Sequence, residues 1–320
     1  MPEPHVRPDV GQFLQYLNAM PTPGIEEMDP VDARRLASAM RDVTDLPTGP
    51  LAVLRDLTIP GPAGDLPLRL FDARAERAPG PIILFIHGGG WTIGDVDLYQ
   101  PACAEIARVL DLPVVSVEYR LAPEHPWPAA PHDCEAAARW IAASPALLDR
   151  VATGLVLAGD SAGGNLAIVT AMALRDRAAG VPVIAQWPLY PAADLATHYP
   201  SFAEFAEGYL LTRASIGWFA DNYAADPADW RGSPMAGSLA GLPPALVTTA
   251  SLDPIRDQGR AYAAALARAG VPVIFREAVG TIHGFLTLRR AIPSAQADLA
   301  AALAALALVI AEARAPEILA

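Results

Sequence analysis

The sequence predicts an α/β protein: a mostly parallel, eight-stranded sheet flanked by helices, with a helical cap. Three observations predict it. Strand-like apolar runs alternate with helical runs from Ile82 onward, and such alternation implies crossover connections, parallel strands and helices on both faces. Two earlier strand-like runs follow each other across a Gly-Pro turn with no helix between them, which predicts an antiparallel pair. One long aromatic-rich stretch then breaks the rhythm, and an insertion of that length between two strands usually carries function.

The elements follow in chain order. The first fifty residues are Pro-rich and acidic, with one helical pattern from about Val31 to Val43. Strands are expected at Val53–Ile59, Leu66–Phe71, Ile82–His87, Val114–Tyr119, Leu155–Gly159, Val183–Trp187, Ala245–Ala250 and Val273–Glu277. Helices are expected at about Asp97–Leu110, Pro131–Ser144, Ala162–Ala178, Arg256–Ala269 and Pro293–Ala313. The interrupting stretch lies between Trp187 and Ala245 and holds Phe202, Phe205, Tyr209, Trp218, Phe219 and Tyr223. With the N-terminal segment it is placed to cap the sheet. The last strand, Val273–Glu277, reads as a sheet edge able to pair with its copy in a homodimer.

Composition narrows the function classes. The chain has 320 residues, 52% hydrophobic and 18% charged, with a net charge of −12. A large core is available, and disorder is disfavoured. An acidic body repels nucleic acid and anionic membrane surfaces, so neither is expected as a partner. Cys103 and Cys134 sit in no metal-ligand spacing and read as reduced, buried thiols of a cytoplasmic protein. Met1-Pro2-Glu3-Pro4-His5 shows no basic region before an apolar run, so no leader is expected. The apolar stretch Leu299–Ile310 reads as too short to span a bilayer and as a buried or half-buried helix.

Gly159-Asp160-Ser161-Ala162-Gly163 has the pattern G-x-S-x-G. Alone the pattern is weak, and Ser161 as an ordinary helix N-cap competes with it. Context strengthens it: an apolar strand precedes and a helix-forming run follows, so Ser161 falls on a sharp strand-to-helix turn with the Ala162 amide opening the helix. His87-Gly88-Gly89-Gly90-Trp91 directly follows another strand. Its glycines let backbone amides approach a ligand and donate to an oxyanion. A phosphate loop is the rival, but neither G-x-G-x-x-G nor the P-loop spacing fits, and no Lys follows. A nucleophilic serine needs a base, and the base a carboxylate. Of six histidines only His283 follows a late strand in a Gly-bounded loop before the last helix. Asp253 lies in the turn after the preceding strand, where Asp-Pro also suits a helix N-cap, and Asp257 is the alternative acid.

These motifs, with Glu118-Tyr119-Arg120-Leu121-Ala122-Pro123-Glu124, Asp253-Pro254-Ile255-Arg256-Asp257 and His283-Gly284-Phe285, resemble the hormone-sensitive-lipase-like (bacterial family IV) esterases. Order and rough spacing agree from about Ile82 to Phe285. The resemblance implies an α/β-hydrolase fold and a serine carboxylesterase needing no cofactor or metal, with a small-molecule ester as substrate. Ser161 would be nucleophile, His283 base and Asp253 its orienting acid, with oxyanion donors at Gly89, Gly90 and Ala162 and Gly88 their neighbour. It implies a cap from residues 1–50 and 190–225 over a catalytic domain of 51–189 and 226–320, and scaffold status for Tyr119–Glu124. Trp91, Tyr190, Phe202, Phe205, Tyr209 and Leu210 become candidate substrate contacts. Rings near the serine would limit the acyl chain to roughly two to eight carbons, since each buried methylene contributes about 0.8 kcal/mol only until the pocket ends. An amidase or carbamate hydrolase could use the same triad. The plant gibberellin receptor is similar in fold but has lost the triad histidine; His283 in this chain favours an enzyme over such a binding protein.

Overall fold

The computed structural model describes residues 4–20 and 23–318. Met1–Glu3, on which the leader reading partly rests, lie outside the described residues. β1 (Val53–Gly61) and β2 (Gly64–Asp72) form the expected antiparallel hairpin, closed by Pro62-Ala63 between the paired Gly61 and Gly64. Then come β3 (Gly80–Ile86), α3 (Gln100–Leu110), β4 (Val114–Val117), α4 (Ala129–Ala142), β5 (Ala152–Asp160), α5 (Ala162–Asp176) and β6 (Val183–Leu189). They are followed by β7 (Ala245–Leu252), α8 (Arg256–Arg268), β8 (Val273–Ile282) and α9 (Ala295–Ile318). The sheet order is β1-β2-β4-β3-β5-β6-β7-β8. β2 is antiparallel to β4, and every pairing from β4 through β3 to β8 is parallel.

Alternation along the central strands makes two cores. Ile82, Leu84 and Ile86 of β3 and Leu155 and Leu157 of β5 face α4, α5 and α8, which contribute Ile141, Leu166 and Tyr262. Ile83, Phe85, Val156 and Ala158 face the other way, onto Ile106 of α3 and Leu299, Leu303 and Leu306 of α9. A strand covered on both faces is apolar throughout; Pro81 to Ile86 are all buried.

The remaining helices are α1 (Pro8–Ala19), α2 (Pro30–Thr44), α6 (Pro200–Glu204) and α7 (Arg213–Tyr223); Arg34 of α2 and Phe219 of α7 touch the loop after β3, and Ser201 of α6 touches the turn after β7. The first and second of these come from the N-terminal segment, where one helix was expected. The Asn18 side chain donates to Gly208 O at 3.1 Å, so N-terminal segment and insertion touch.

Two expectations are corrected. β8 runs past Glu277 to Ile282 and so ends directly on His283. The last helix runs past Ala313 to Ile318, and its stretch Ala295–Arg314 is long and apolar enough, with mean hydropathy 1.6, to cross a membrane. Its Leu299, Leu303 and Leu306 are fully buried against the sheet, which accounts for the hydrophobicity as core packing. β8 is an edge strand, as expected. Arg7 N–H donates to Gly280 O (3.1 Å) and Arg7 Nε to Val279 O (2.7 Å), so the N-terminal segment takes up the far part of that edge.

Candidate active site

Each side chain of the candidate site is delivered by the carboxyl end of a parallel strand. β5 ends at Asp160, and Ser161 turns the chain into α5 with φ 55° and ψ −118°. A non-glycine residue at positive φ is held there by its surroundings. Two close approaches make that turn possible. A Cβ on Gly159 would lie 2.3 Å from Gly163 O, and one on Gly163 would lie 2.0 Å from Ile86 O. Ser161 N–H donates to Leu189 O at 2.9 Å, pinning the turn to β6.

Ser161 Oγ lies 2.8 Å from His283 Nε2, and His283 Nδ1 lies 2.7 Å from Asp253 Oδ2. Asp253 is fully buried and its other oxygen accepts Ile255 N–H at 2.8 Å. A buried carboxylate on Nδ1 fixes the tautomer that leaves Nε2 free to accept the serine proton. Asp257, the alternative acid, is occupied elsewhere: it accepts from Ser201 N–H (3.0 Å), Arg256 Nε (2.8 Å) and Arg260 Nη1 (3.1 Å).

The glycine loop after β3 faces the serine turn. Gly89 and Gly90 adopt φ 109° and 57°, and their amides have no acceptor among the described residues. The Ala162 amide is the first of α5, one of the donors a helix leaves unpaired at its start. Gly88 is corrected: its amide donates to Asp160 Oδ1 at 2.8 Å and is spent. His87 is structural. Its ring stacks on Tyr119 at 4.3 Å, its Nδ1 lies 2.8 Å from Gly88 O, and burial pushes its pKa down to about 4, so it is neutral. Tyr119 OH donates to His87 O (3.0 Å), and Ala122 N–H to Trp91 O (2.9 Å), so the Tyr119–Glu124 stretch braces the glycine loop.

The expected substrate contacts divide. Leu210, exposed and at φ 72°, reaches to 3.9 Å from where a Cβ on Gly284 would stand, beside His283. Tyr209 and Phe202 are partly buried; Phe202 packs on His198 and under Arg213. Trp91, Tyr190 and Phe205 are corrected to packing behind the site. Trp91 stacks flat on Tyr223 (4.2 Å, 1°), Tyr190 backs the His283 ring (4.7 Å), and Phe205 sits under Arg256. One residue near the site was missed, and a second, Asp160, reads from the sequence as a structural hydrogen-bonding group beside the nucleophile rather than as the triad acid. Phe219 of α7 lies on Gly90, where an added Cβ would meet its ring at 2.1 Å. Asp160 is buried beneath the glycine loop, and burial pushes its carboxyl up to about 6. The four-residue spacing of Phe219 and Tyr223 was the available signal for the first.

A doubly wound sheet with a strand-end serine, histidine and aspartate in one hydrogen-bonded line defines the α/β-hydrolase class. A sequence profile of the alpha/beta hydrolase fold matches residues 83–287. The chain belongs to that family, within its hormone-sensitive-lipase-like esterases. It is 44% identical to the carboxylic ester hydrolase LipN of Mycobacterium tuberculosis over 78% of this chain and 69% of LipN. It is 33% identical to an ethyl acetate hydrolase of Pseudomonas putida over 92% of this chain and 96% of that one. An ester-hydrolase from the metagenome of Lake Arreo, solved with a bipyridine phosphonate derivative, superposes with a TM-score of 0.90 at 34% identity, covering 95% of this chain and 98% of that one. This chain is a carboxylic ester hydrolase.

Proposed function

We propose that the enzyme hydrolyses short- to medium-chain acyl esters through an acyl-enzyme on Ser161, with His283 as base and Asp253 as its orienting acid. The observation that carries this is the continuous line Ser161 Oγ, His283, Asp253 at 2.8 and 2.7 Å. Ser161 Oγ attacks the ester carbonyl while His283 Nε2 takes its proton. The carbonyl oxygen becomes an oxyanion received by the amides of Gly89, Gly90 and Ala162, donors already oriented before reaction. His283 then protonates the departing alkoxide. Water, deprotonated by the same ring, attacks the acyl-enzyme and frees the acid.

The short-chain reading has two supports. Phe219 stands on Gly90 of the glycine loop, and Leu210 stands beside Gly284, next to His283. A relative that aligns over nearly its whole length is named an ethyl acetate hydrolase. The test is kcat/KM for p-nitrophenyl acetate, butyrate, octanoate and palmitate, with Ser161→Ala as control. Activity is expected to peak within the first three esters and to fall at palmitate. The control should retain the fold and only about 10³-fold catalysis over water. A steady rise to palmitate overturns the chain-length reading, and an active control overturns the triad.

A further inference from the structure

Asp160 is 2% exposed, and the groups that solvate its carboxylate are neutral: Gly88 N–H on Oδ1 at 2.8 Å, and the hydroxyls of Tyr99 (3.0 Å) and Tyr190 (3.3 Å) on Oδ2. A buried carboxylate held only by neutral donors is costly to keep. What it holds explains its place. At one end it fixes Gly88, whose neighbours Gly89 and Gly90 offer free amides. At the other it fixes Tyr190, whose ring packs on the His283 imidazole at 4.7 Å and whose hydroxyl accepts Leu286 N–H at 3.4 Å. Tyr190 itself sits at φ 31°, a conformation held by its surroundings. One carboxylate therefore links the loop carrying the oxyanion donors to the loop carrying the base.

We propose that Asp160 is a positioning residue for ester hydrolysis: it sets the register of the oxyanion loop through Gly88 and of the His283 ring through Tyr190, and its charge favours the imidazolium that forms as Ser161 attacks. This rests on the triad assignment above. The groups facing Asp160 come from every neighbouring element: Tyr99 and Cys103 at α3, Tyr119 after β4, Tyr190 after β6 and His283 after β8. Burial raises the pKa of the three tyrosines and the thiol, so all four stay neutral through the working range. Asp160 is the group among them that changes charge. Burial pushes the Asp160 carboxyl up to about 6, against its hydrogen bonds and the His283 charge, which pull it down. Acidification thus removes the carboxylate, and with it an acceptor.

The test is the pH profile of kcat/KM for p-nitrophenyl butyrate in the wild type, Asp160→Asn and Tyr190→Phe, with phosphonate labelling of Ser161 in each. The wild type should lose activity in acid as Asp160 takes up its proton. In Asp160→Asn that titration is absent, so the acid limb should move to lower pH. Its kcat should fall roughly 10²-fold with little change in KM, the effect of displacing an oxyanion donor. In Tyr190→Phe the ring stays against His283, but the carboxylate loses a donor and binds its proton more tightly, so the limb should move to higher pH. Opposite movements are what a merely structural role would not produce. Parental kcat and an unmoved limb in Asp160→Asn overturn the proposal. If that variant does not fold, an unmoved limb in Tyr190→Phe overturns it. Failure of the wild type to label at Ser161 would sink the triad assignment instead, so the two failures are separable.

Discussion

Two aspartates four residues apart, Asp253 and Asp257, carry nearly the same local sequence signal and do different work. Asp253 is fully buried on His283 Nδ1, whereas Asp257 joins Ser201 of α6 to Arg256 and Arg260. Asp253→Asn should leave the fold intact and lower kcat by about 10⁴-fold, since the imidazole is then held in the wrong tautomer. Asp257→Asn should change kcat less than about tenfold and act mainly on stability through the loss of a hydrogen-bonded charge. Steady-state kinetics with thermal melts on both variants checks this, and equal losses in kcat would mean the acid is misassigned. The hydrogen-bonded grouping of Ser161, His283 and Asp253 was legible because each stands just past a strand end beside motif residues that the chain states locally. Gly88 was misjudged because its amide is spent on Asp160, seventy-two positions away. No local pattern displays a bond between two loops that meet only in the folded sheet.

At the scale of elements, strands of the sheet interior were legible because burial on both faces leaves unbroken apolar runs such as Ile82 to Ile86. The far end of β8 was not, because Gly280, at φ 79°, interrupts the pattern at an irregularity in the pairing with β7. α1 was hidden too: it buries only Val10 and Leu14, too few positions to mark a helical period. α7 was visible as aromatic-rich sequence, but its role depends on which face it lays down. Phe219 and Tyr223, one turn apart, press on Gly90 and Trp91. Phe219→Ala should open space beside the oxyanion loop. The expected result is a higher octanoate-to-acetate ratio of kcat/KM, with each newly accommodated methylene contributing up to about 0.8 kcal/mol. An unchanged ratio across the ester series would show that this ring does not bound the acyl chain.

For the molecule as a whole, α2 ties the two halves of the site together. Near its start, Arg34 donates to Thr92 O (2.8 Å) and Ala122 O (2.7 Å) on the oxyanion side and pairs with Glu124. At its end, Asp45 pairs with Arg289 at 2.7 Å on the histidine side, and Thr44 O accepts the amides of Arg290 and Ala291. The two anchors differ in burial, and their removal should therefore be felt in different quantities. The Asp45–Arg289 pair has side chains 0% and 2% exposed, so Asp45→Ala leaves an arginine buried without its counter-charge and should cost about 3–5 kcal/mol of stability. The Arg34–Glu124 pair is 25% and 47% exposed, and a surface pair of that kind contributes at most about 1 kcal/mol. Arg34→Ala should therefore melt close to the wild type. It also frees the carbonyls of Thr92 and Ala122, which bracket the Trp91 end of the oxyanion loop, so its loss should appear in kcat instead. Calorimetry and kinetics on the two variants form a crossed test. A melting point unchanged by Asp45→Ala would mean that the buried pair holds nothing. A kcat unchanged by Arg34→Ala would mean that the N-terminal helix covers the site without steadying it.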